Sequence, residues 1–195
     1  MGLEWWWAPW QLQLFGVLLA FYHVTEFSLA AVFMRQQLSW SSWLITKPYC
    51  LAMGTGLLEF WLESWLLPRL KQITSISFLG LAIAVLGETI RKAGMITAGR
   101  NFTHTIQAQK NPEHQLVTWG IYRFIRHPGY LGWFLWSVGT QVLLVNPICA
   151  IGFALVAWRF FKARLRYEEA LLVNFFGLDY VNYRARTPTY IPFLS

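Results

Sequence analysis

Charge is what this chain has least of. Asp, Glu, Lys and Arg make up 13% of its 195 residues, about half of the roughly 25% found in soluble domains. A chain that is also 56% hydrophobic lies far on the membrane side of that comparison. Cysteine is nearly absent as well. Cys50 and Cys149 both sit in apolar stretches, offer neither a disulfide framework nor a metal spacing, and read as small buried side chains. Four histidines without a neighbouring acid cluster lack the ligand spacings of a zinc site. No Ser-His-Asp or nucleophile-elbow pattern is present, so hydrolase chemistry has no support. Gly54-Thr55-Gly56 lacks the third glycine of a dinucleotide fingerprint and lies in an apolar span, which closes the soluble Rossmann route. Met1 to Trp10 holds Glu4 and a Trp run without a basic n-region, so the first apolar segment reads as a retained anchor. No repeat or low-complexity linker divides the chain, and it reads as one domain.

What is present is aromatic and segmented. Twelve Trp, within an aromatic share of 18%, suit the headgroup zone, where indoles are favoured. The net charge of +7 comes from residues flanking apolar segments rather than from a basic face, which argues against nucleic acid. Candidate spans are Leu12 to Phe33 (interrupted by His23, Thr25 and Glu26), Ser42 to Leu67 (broken by Lys47-Pro48 and carrying Glu59 and Glu63), and Ile73 to Ile90, ending at Arg91-Lys92. Tyr130 to Val145 and Ile148 to Phe161 are shorter, with Asn146-Pro147 as a turn signal between them. At about 1.5 Å per residue these two barely cross a core of about 30 Å, and read as a helical hairpin. The expectation is an all-α integral membrane protein with about five spans. The polar stretch Thr97 to His127 and the tail, with Arg184 and Arg186, are both basic, which places both in the cytoplasm and the N-terminus in the lumen.

Ionisable groups beside apolar spans are functional-site candidates. The first cluster is Arg126-His127-Pro128-Gly129-Tyr130-Leu131-Gly132. Proline suits a first helical turn and disfavours helix at the residue before it. His127 therefore falls just outside a helix starting near Pro128, its ring free to face the polar stretch. The amides of Gly129 and Tyr130 would make an anion-receptive end, and Gly129 and Gly132 would admit a ligand or a neighbouring helix. A proline-started helix with an interfacial histidine and tyrosine explains the same residues. The second cluster is Arg164-Leu165-Arg166-Tyr167-Glu168-Glu169. Arg164 and Glu168 share a helix face, either as an ordinary ion pair or as a guanidinium for a carboxylate beside an acid for a cationic cofactor. Glu168-Glu169 is equally readable as a solvated patch. His104 and His114, taken singly, read as surface histidines.

The ordered blocks go further than spacing. Gly87-Glu88-x-x-Arg91-Lys92, Thr97-Ala98-Gly99-x-Asn101-Phe102-x-His104 and His114-x-Leu116-Val117-Thr118-x-Gly120-x-Tyr122 precede Arg126-His127-Pro128-x-Tyr130-x-Gly132-Trp133-Phe134. Gly139-Thr140-Gln141-Val142, Asn146-Pro147-Ile148-Cys149, Trp158-Arg159-Phe160-Phe161, Glu168-Glu169, Phe175-Phe176-Gly177 and Tyr180-x-x-Tyr183 follow, while His23-x-x-Glu26 and Leu70-Lys71-Gln72-Ile73-Thr74 extend the match upstream. Together they resemble the integral-membrane protein-S-isoprenylcysteine O-methyltransferases. The resemblance implies methyl esterification of the C-terminal carboxylate of farnesyl- or geranylgeranyl-cysteine, with S-adenosylmethionine as donor. It implies prenylated proteins of the small-GTPase type as partners and a multi-pass place in the endoplasmic reticulum membrane, with the site facing the cytoplasm.

It also implies cofactor contacts at Gln107, His114, Gln115, Leu116, Val117, Tyr122, His127, Pro128, Gly129, Tyr130 and Glu168. Arg164 would meet the substrate carboxylate, with Arg91 as a further catalytic contributor. On this expectation residues 1–96 are membrane helices and residues 97–195 the cofactor-binding core of a single domain. Gly129 stands where animal members commonly have serine, and the chain starts near the third membrane helix of the longer animal enzymes, so any role of their earlier helices would be absent. Trp133, Phe134, Trp136 and Phe153 could line a lipid opening, or simply pack. Three competing readings are an NADPH-dependent membrane sterol or fatty-acyl reductase, a phospholipid N-methyltransferase, and a non-enzymatic scaffold. The sequence carries no signal for prenyl length or oligomeric state.

Overall fold

The computed structural model describes residues 9–110 and 112–194; Glu4 and most of the N-terminal Trp run lie outside the described residues. Six α-helices carry the chain: α1 (Trp10–Phe33), α2 (Lys47–Leu66), α3 (Thr74–Ala98), α4 (Pro128–Leu143), α5 (Pro147–Phe176) and α6 (Leu178–Arg186). There is no strand among the described residues. Two helical stretches, Trp10–Phe33 and Thr74–Asn101, are long and apolar enough to cross a membrane.

Three boundaries differ from the sequence expectation. The second apolar segment becomes helical at Lys47 rather than Ser42, because Pro48 falls in the first turn, where a missing N–H costs nothing. Trp40–Trp43 forms a separate short turn before it. The third segment does not end at Arg91-Lys92; it runs on to Ala98, since both cations meet Glu26 of α1, and Lys92 also Glu88 one turn away, and need no water. The fifth does not stop near Phe161. It continues to Phe176 and stops at Gly177, whose φ is 58°, a glycine-favoured helix end. At about 1.5 Å per residue this helix is about 45 Å long, enough to cross an apolar layer and project beyond it. Helix-forming Lys, Ala, Arg, Leu and Glu fill that extension.

The tightest packing is α3 against α4. A Cβ on Gly132 would lie 2.5 Å from the Gly87 carbonyl oxygen and 2.6 Å from the Arg91 amide, and one on Gly139 would lie 2.5 Å from the Ala84 amide. Small residues let membrane helices approach to backbone contact. Gly132 thus admits a helix rather than a ligand, and the approach presses Arg91 against the start of α4.

The α4–α5 hairpin turns at Asn146-Pro147 as expected, and α2 clamps its tip. Glu59 accepts from the amides of Ile148 (2.8 Å) and Cys149 (2.6 Å), the first turn of α5. Lys71 donates to the carbonyls of Leu144 (3.0 Å) and Val145 (2.8 Å), to Asn146 Oδ1 (2.9 Å) and to Glu63 (2.7 Å). Helix ends carry unsatisfied backbone groups, which are costly where water is absent. These charged side chains supply the missing partners.

Aromatic packing fills the middle. Trp136 is wholly buried and stacks on Tyr22 at 4.2 Å, so it belongs to the core and not to a lipid opening. Trp133, Phe134 and Phe153 are half-buried. Cys50 is exposed and Cys149 half-buried; neither is the enclosed thiol expected, because each sits in the first turn of a helix whose outer face is open. The tail folds back onto α4 and α5, burying Ile191 beside Leu131, Phe161 and Leu165.

Candidate functional site

The site grows from the start of α4. His127 caps the helix and Pro128 is its first residue. The amides of Tyr130 and Leu131 both turn back to the His127 carbonyl, at 3.1 Å each, so the Tyr130 amide is not offered to an anion as the sequence suggested. Nor does the imidazole face open solvent. His127 is buried, with Nε2 3.2 Å from Glu169 Oε1. Arg126 donates to the same oxygen at 2.7 Å and to the Thr187 carbonyl at 2.6 Å. Glu169 is therefore a structural anchor rather than part of a solvated patch.

Glu169 lies beyond the apolar run of α5. Burial opposes its ionisation, but hydrogen bonding and charge from His127, then Arg126, outweigh burial and lower the carboxyl from its usual 4.5 to about 2. A depressed folded pKa means the stabilising contribution is complete above the unfolded value and is lost as pH falls through the folded one. Thermal midpoints in detergent across roughly pH 5 to 2 should therefore fall more steeply for the parent than for Glu169→Gln. Parallel slopes would contradict the pairing.

Facing this corner is α5. Arg164 and Glu168 point to the same side, but they are not joined as a direct ion pair among the described residues; the Tyr130 hydroxyl stands between them. It donates to Glu168 Oε2 and accepts from Arg164 Nε at 2.8 Å. Arg164 Nη2 also donates to the His104 carbonyl at 2.8 Å, and its guanidinium lies 5.7 Å from the centre of the Tyr130 ring. That ring stacks on His127, with 10° between the planes. One phenol therefore ties the two clusters together.

The third wall is the segment between α3 and α4. Asn101 Oδ1 accepts from the Gln115 amide at 2.9 Å. Lys110 donates to the Phe175 carbonyl at 2.7 Å, where the negative end of α5 favours a cation. His114 lies edge-on to Phe176 at 5.6 Å. Burial, reinforced by Lys110 and opposed by Glu168, lowers its pKa below the usual 6.5. His114 is half-buried in the chamber wall rather than a surface histidine.

These walls enclose a chamber that brings together Gln107, His114 to Val117, Tyr122, His127 to Tyr130, Arg164 and Glu168. Arg91 is not among its lining residues. Buried behind the wall, it donates from Nε to both Glu26 oxygens (3.0 and 2.9 Å) and from Nη1 to the Gly129 carbonyl (2.9 Å). Its contacts, to Glu26 and to the start of α4, hold the wall from behind rather than lining the chamber. Phe102, Thr103, Leu171 and Leu172, not expected as contacts, also line the chamber, as do Phe175, Phe176, Tyr180 and Tyr183. Phe102 and the last four stand within the ordered blocks, so a signal for them existed; Thr103, Leu171 and Leu172 had none. The arrangement offers one guanidinium and one carboxylate a helical turn apart, with aromatic faces beside them, which suits an anion and a cationic, ring-bearing molecule meeting in one space.

An all-helical bundle with apolar helices and a polar chamber at one end defines a class of membrane-embedded enzyme. The family model for the isoprenylcysteine carboxyl methyltransferase family matches residues 79–174. The human protein-S-isoprenylcysteine O-methyltransferase is 47% identical over 179 residues, covering 91% of this chain and 63% of its own length. A probable protein-S-isoprenylcysteine O-methyltransferase of Oryza sativa subsp. japonica is 44% identical over 186 residues, covering 95% of this chain and 97% of its own. A solved structure of the eukaryotic intramembrane Ras methyltransferase, an isoprenylcysteine carboxyl methyltransferase, superposes with a TM-score of 0.90 at 41% identity, covering 95% of this chain and 68% of that one. The chain belongs to the isoprenylcysteine carboxyl methyltransferase family and has its membrane fold. It spans just under two thirds of the human relative and nearly all of the rice one.

Proposed function

We propose that this protein uses S-adenosylmethionine to methyl-esterify the C-terminal carboxylate of farnesyl- or geranylgeranyl-cysteine on prenylated proteins, small GTPases among them. It does so from the cytoplasmic face of the endoplasmic reticulum membrane. The observation that carries the reading is the Arg164–Tyr130–Glu168 bridge across one chamber. The lining fits the donor: Glu168 suits its ammonium group, Phe175 and Phe176 offer faces to a purine, and Gln107 with His114 to Val117, Tyr122 and His127 to Tyr130 completes the cradle. Bound there, S-adenosylmethionine supplies an electrophilic methyl group.

A C-terminal carboxylate with a pKa of about 3.5 is already ionised at neutral pH, so no general base is required. What remains for the chain is positioning and the removal of water, worth several kcal/mol. Arg164 orients the carboxylate through its planar fork, and Tyr130 fixes the fork. The prenyl chain partitions into lipid at about 0.8 kcal/mol per methylene, and half-buried Trp133, Phe134 and Phe153 offer an apolar approach. The fold fits about five membrane helices, α1 to α5, in one domain. Within it, residues 1–96 anchor the bundle and 97–195 form the cofactor-binding core.

The test is methyl transfer from labelled donor in nanodiscs, with acetylated farnesylcysteine and phosphatidylethanolamine offered side by side. Label is expected on the prenylcysteine alone. Transfer to the phospholipid, or binding of NADPH in place of S-adenosylhomocysteine, would overturn the reading.

A further inference from the structure

We infer that Glu26, in the first membrane helix, is a positioning residue for the reaction, holding Arg164 in place through two arms that leave one carboxylate. The inference rests on the reading of Arg164 as the carboxylate contact. Glu26 is wholly buried and lies outside the chamber. Its oxygens receive Arg91 Nε (3.0 and 2.9 Å) and Lys92 Nζ (3.1 Å), and His104 Nε2 lies 3.6 Å from Oε1.

The first arm runs through Arg91, whose Nη1 grips the Gly129 carbonyl at 2.9 Å. Gly129 adjoins Tyr130, and the Tyr130 hydroxyl accepts from Arg164 Nε at 2.8 Å. The second arm runs through His104. Its ring faces Glu26, while its own carbonyl accepts from Arg164 Nη2 at 2.8 Å. Two of the guanidinium's nitrogens are thus held by Tyr130 and the His104 carbonyl; Glu26 reaches the first through Arg91 and Gly129 and stands 3.6 Å from the ring of the second, a charge contact rather than a hydrogen bond. A plain structural ion pair would need only Arg91. The contact to His104, on a segment that walls the chamber, gives the acid a second reach that packing alone does not require. An ionised group inside a membrane helix is expensive to keep and by default marks function.

The test compares Glu26→Gln with the double variant Glu26→Gln, Arg91→Gln, each as the full chain in nanodiscs. Neutralising Glu26 alone leaves a buried guanidinium without its partner, which is destabilising, whereas removing both charges is often tolerated. The neighbouring Lys92–Glu88 pair, at 3.2 Å, keeps the double variant in charge balance. Both variants are expected to lose at least about tenfold in kcat/KM for acetylated farnesylcysteine. Affinity for S-adenosylhomocysteine should fall clearly less than kcat/KM, since Glu26 and Arg91 lie behind the chamber wall and touch it only through the Gly129 carbonyl, and the thermal midpoint of the double variant should stay near the parent's. Two results overturn the inference. One is kcat/KM within about threefold of the parent in the double variant; the other is a parallel loss of S-adenosylhomocysteine affinity, the mark of general collapse. Arg164→Ala, assayed alongside, separates the two claims. If it is inactive while the Glu26 variants are normal, only the positioning role falls; if it turns over normally, the reading of Arg164 fails.

Discussion

Arg164→Ala is expected to lose almost all methyl transfer to a prenylcysteine while binding S-adenosylhomocysteine nearly as well as the parent. Truncating one partner of a desolvated charge pair costs about 2–5 kcal/mol. At about 1.4 kcal/mol per tenfold, kcat/KM should fall roughly 30- to several-thousand-fold. The loss has two sources in the structure. Nε and Nη2 are committed to Tyr130 and the His104 carbonyl, so the guanidinium is held before any substrate arrives, and alanine removes both the charge and this fixed geometry. Arg164→Lys should recover only part of the rate, because an ammonium is a point charge without the planar fork. Turnover within a few fold of the parent in Arg164→Ala would remove the carboxylate contact from this residue.

Glu168→Ala carries the second large effect, and it falls on the other ligand. A hydrogen bond to a charged group contributes about 1.5–3 kcal/mol, so affinity for S-adenosylmethionine should drop roughly 10- to 150-fold. Titration with S-adenosylhomocysteine in nanodiscs reads this directly. Because Tyr130 donates to Glu168, the variant also frees the phenol, and a smaller rise in KM for the prenylcysteine should accompany the loss. An unchanged affinity would move the cofactor out of this chamber. Opposite patterns in the two variants, one losing turnover and the other losing cofactor, are the signature of separate tasks on adjacent turns of α5.

The divided roles of these residues also show what a sequence can carry. The corner at His127-Pro128 was readable because proline acts locally, and its place at the start of α4 needed no partner. Arg164 and Glu168 share a face by spacing alone, but Tyr130, more than thirty residues upstream, reaches between them only once α4 lies against α5. The Glu26–Arg91 pair is further apart still, at 65 residues, and depends on α1 meeting α3. Hydropathy also misjudged where helices stop. Charged residues end the apolar runs at Arg91 and Lys162, yet the helices continue, because Ala, Leu, Lys, Arg and Glu favour helix whether or not lipid surrounds them. Likewise Trp136 and Trp133 look alike in sequence; only their contacts make one core and leave the other half-open.

The central claim is that an arginine and an acid, bridged by Tyr130, define the place where donor and acceptor meet. The most direct measurement is an experimental density map of the protein in nanodiscs with S-adenosylhomocysteine and a prenylcysteine ester-forming substrate both bound. The account predicts the cofactor between His114 to Val117 and Glu168, with the substrate carboxylate about 3 Å from Arg164, at hydrogen-bond distance. Density for either ligand outside this chamber, or an Arg164 side chain turned toward lipid, would contradict it.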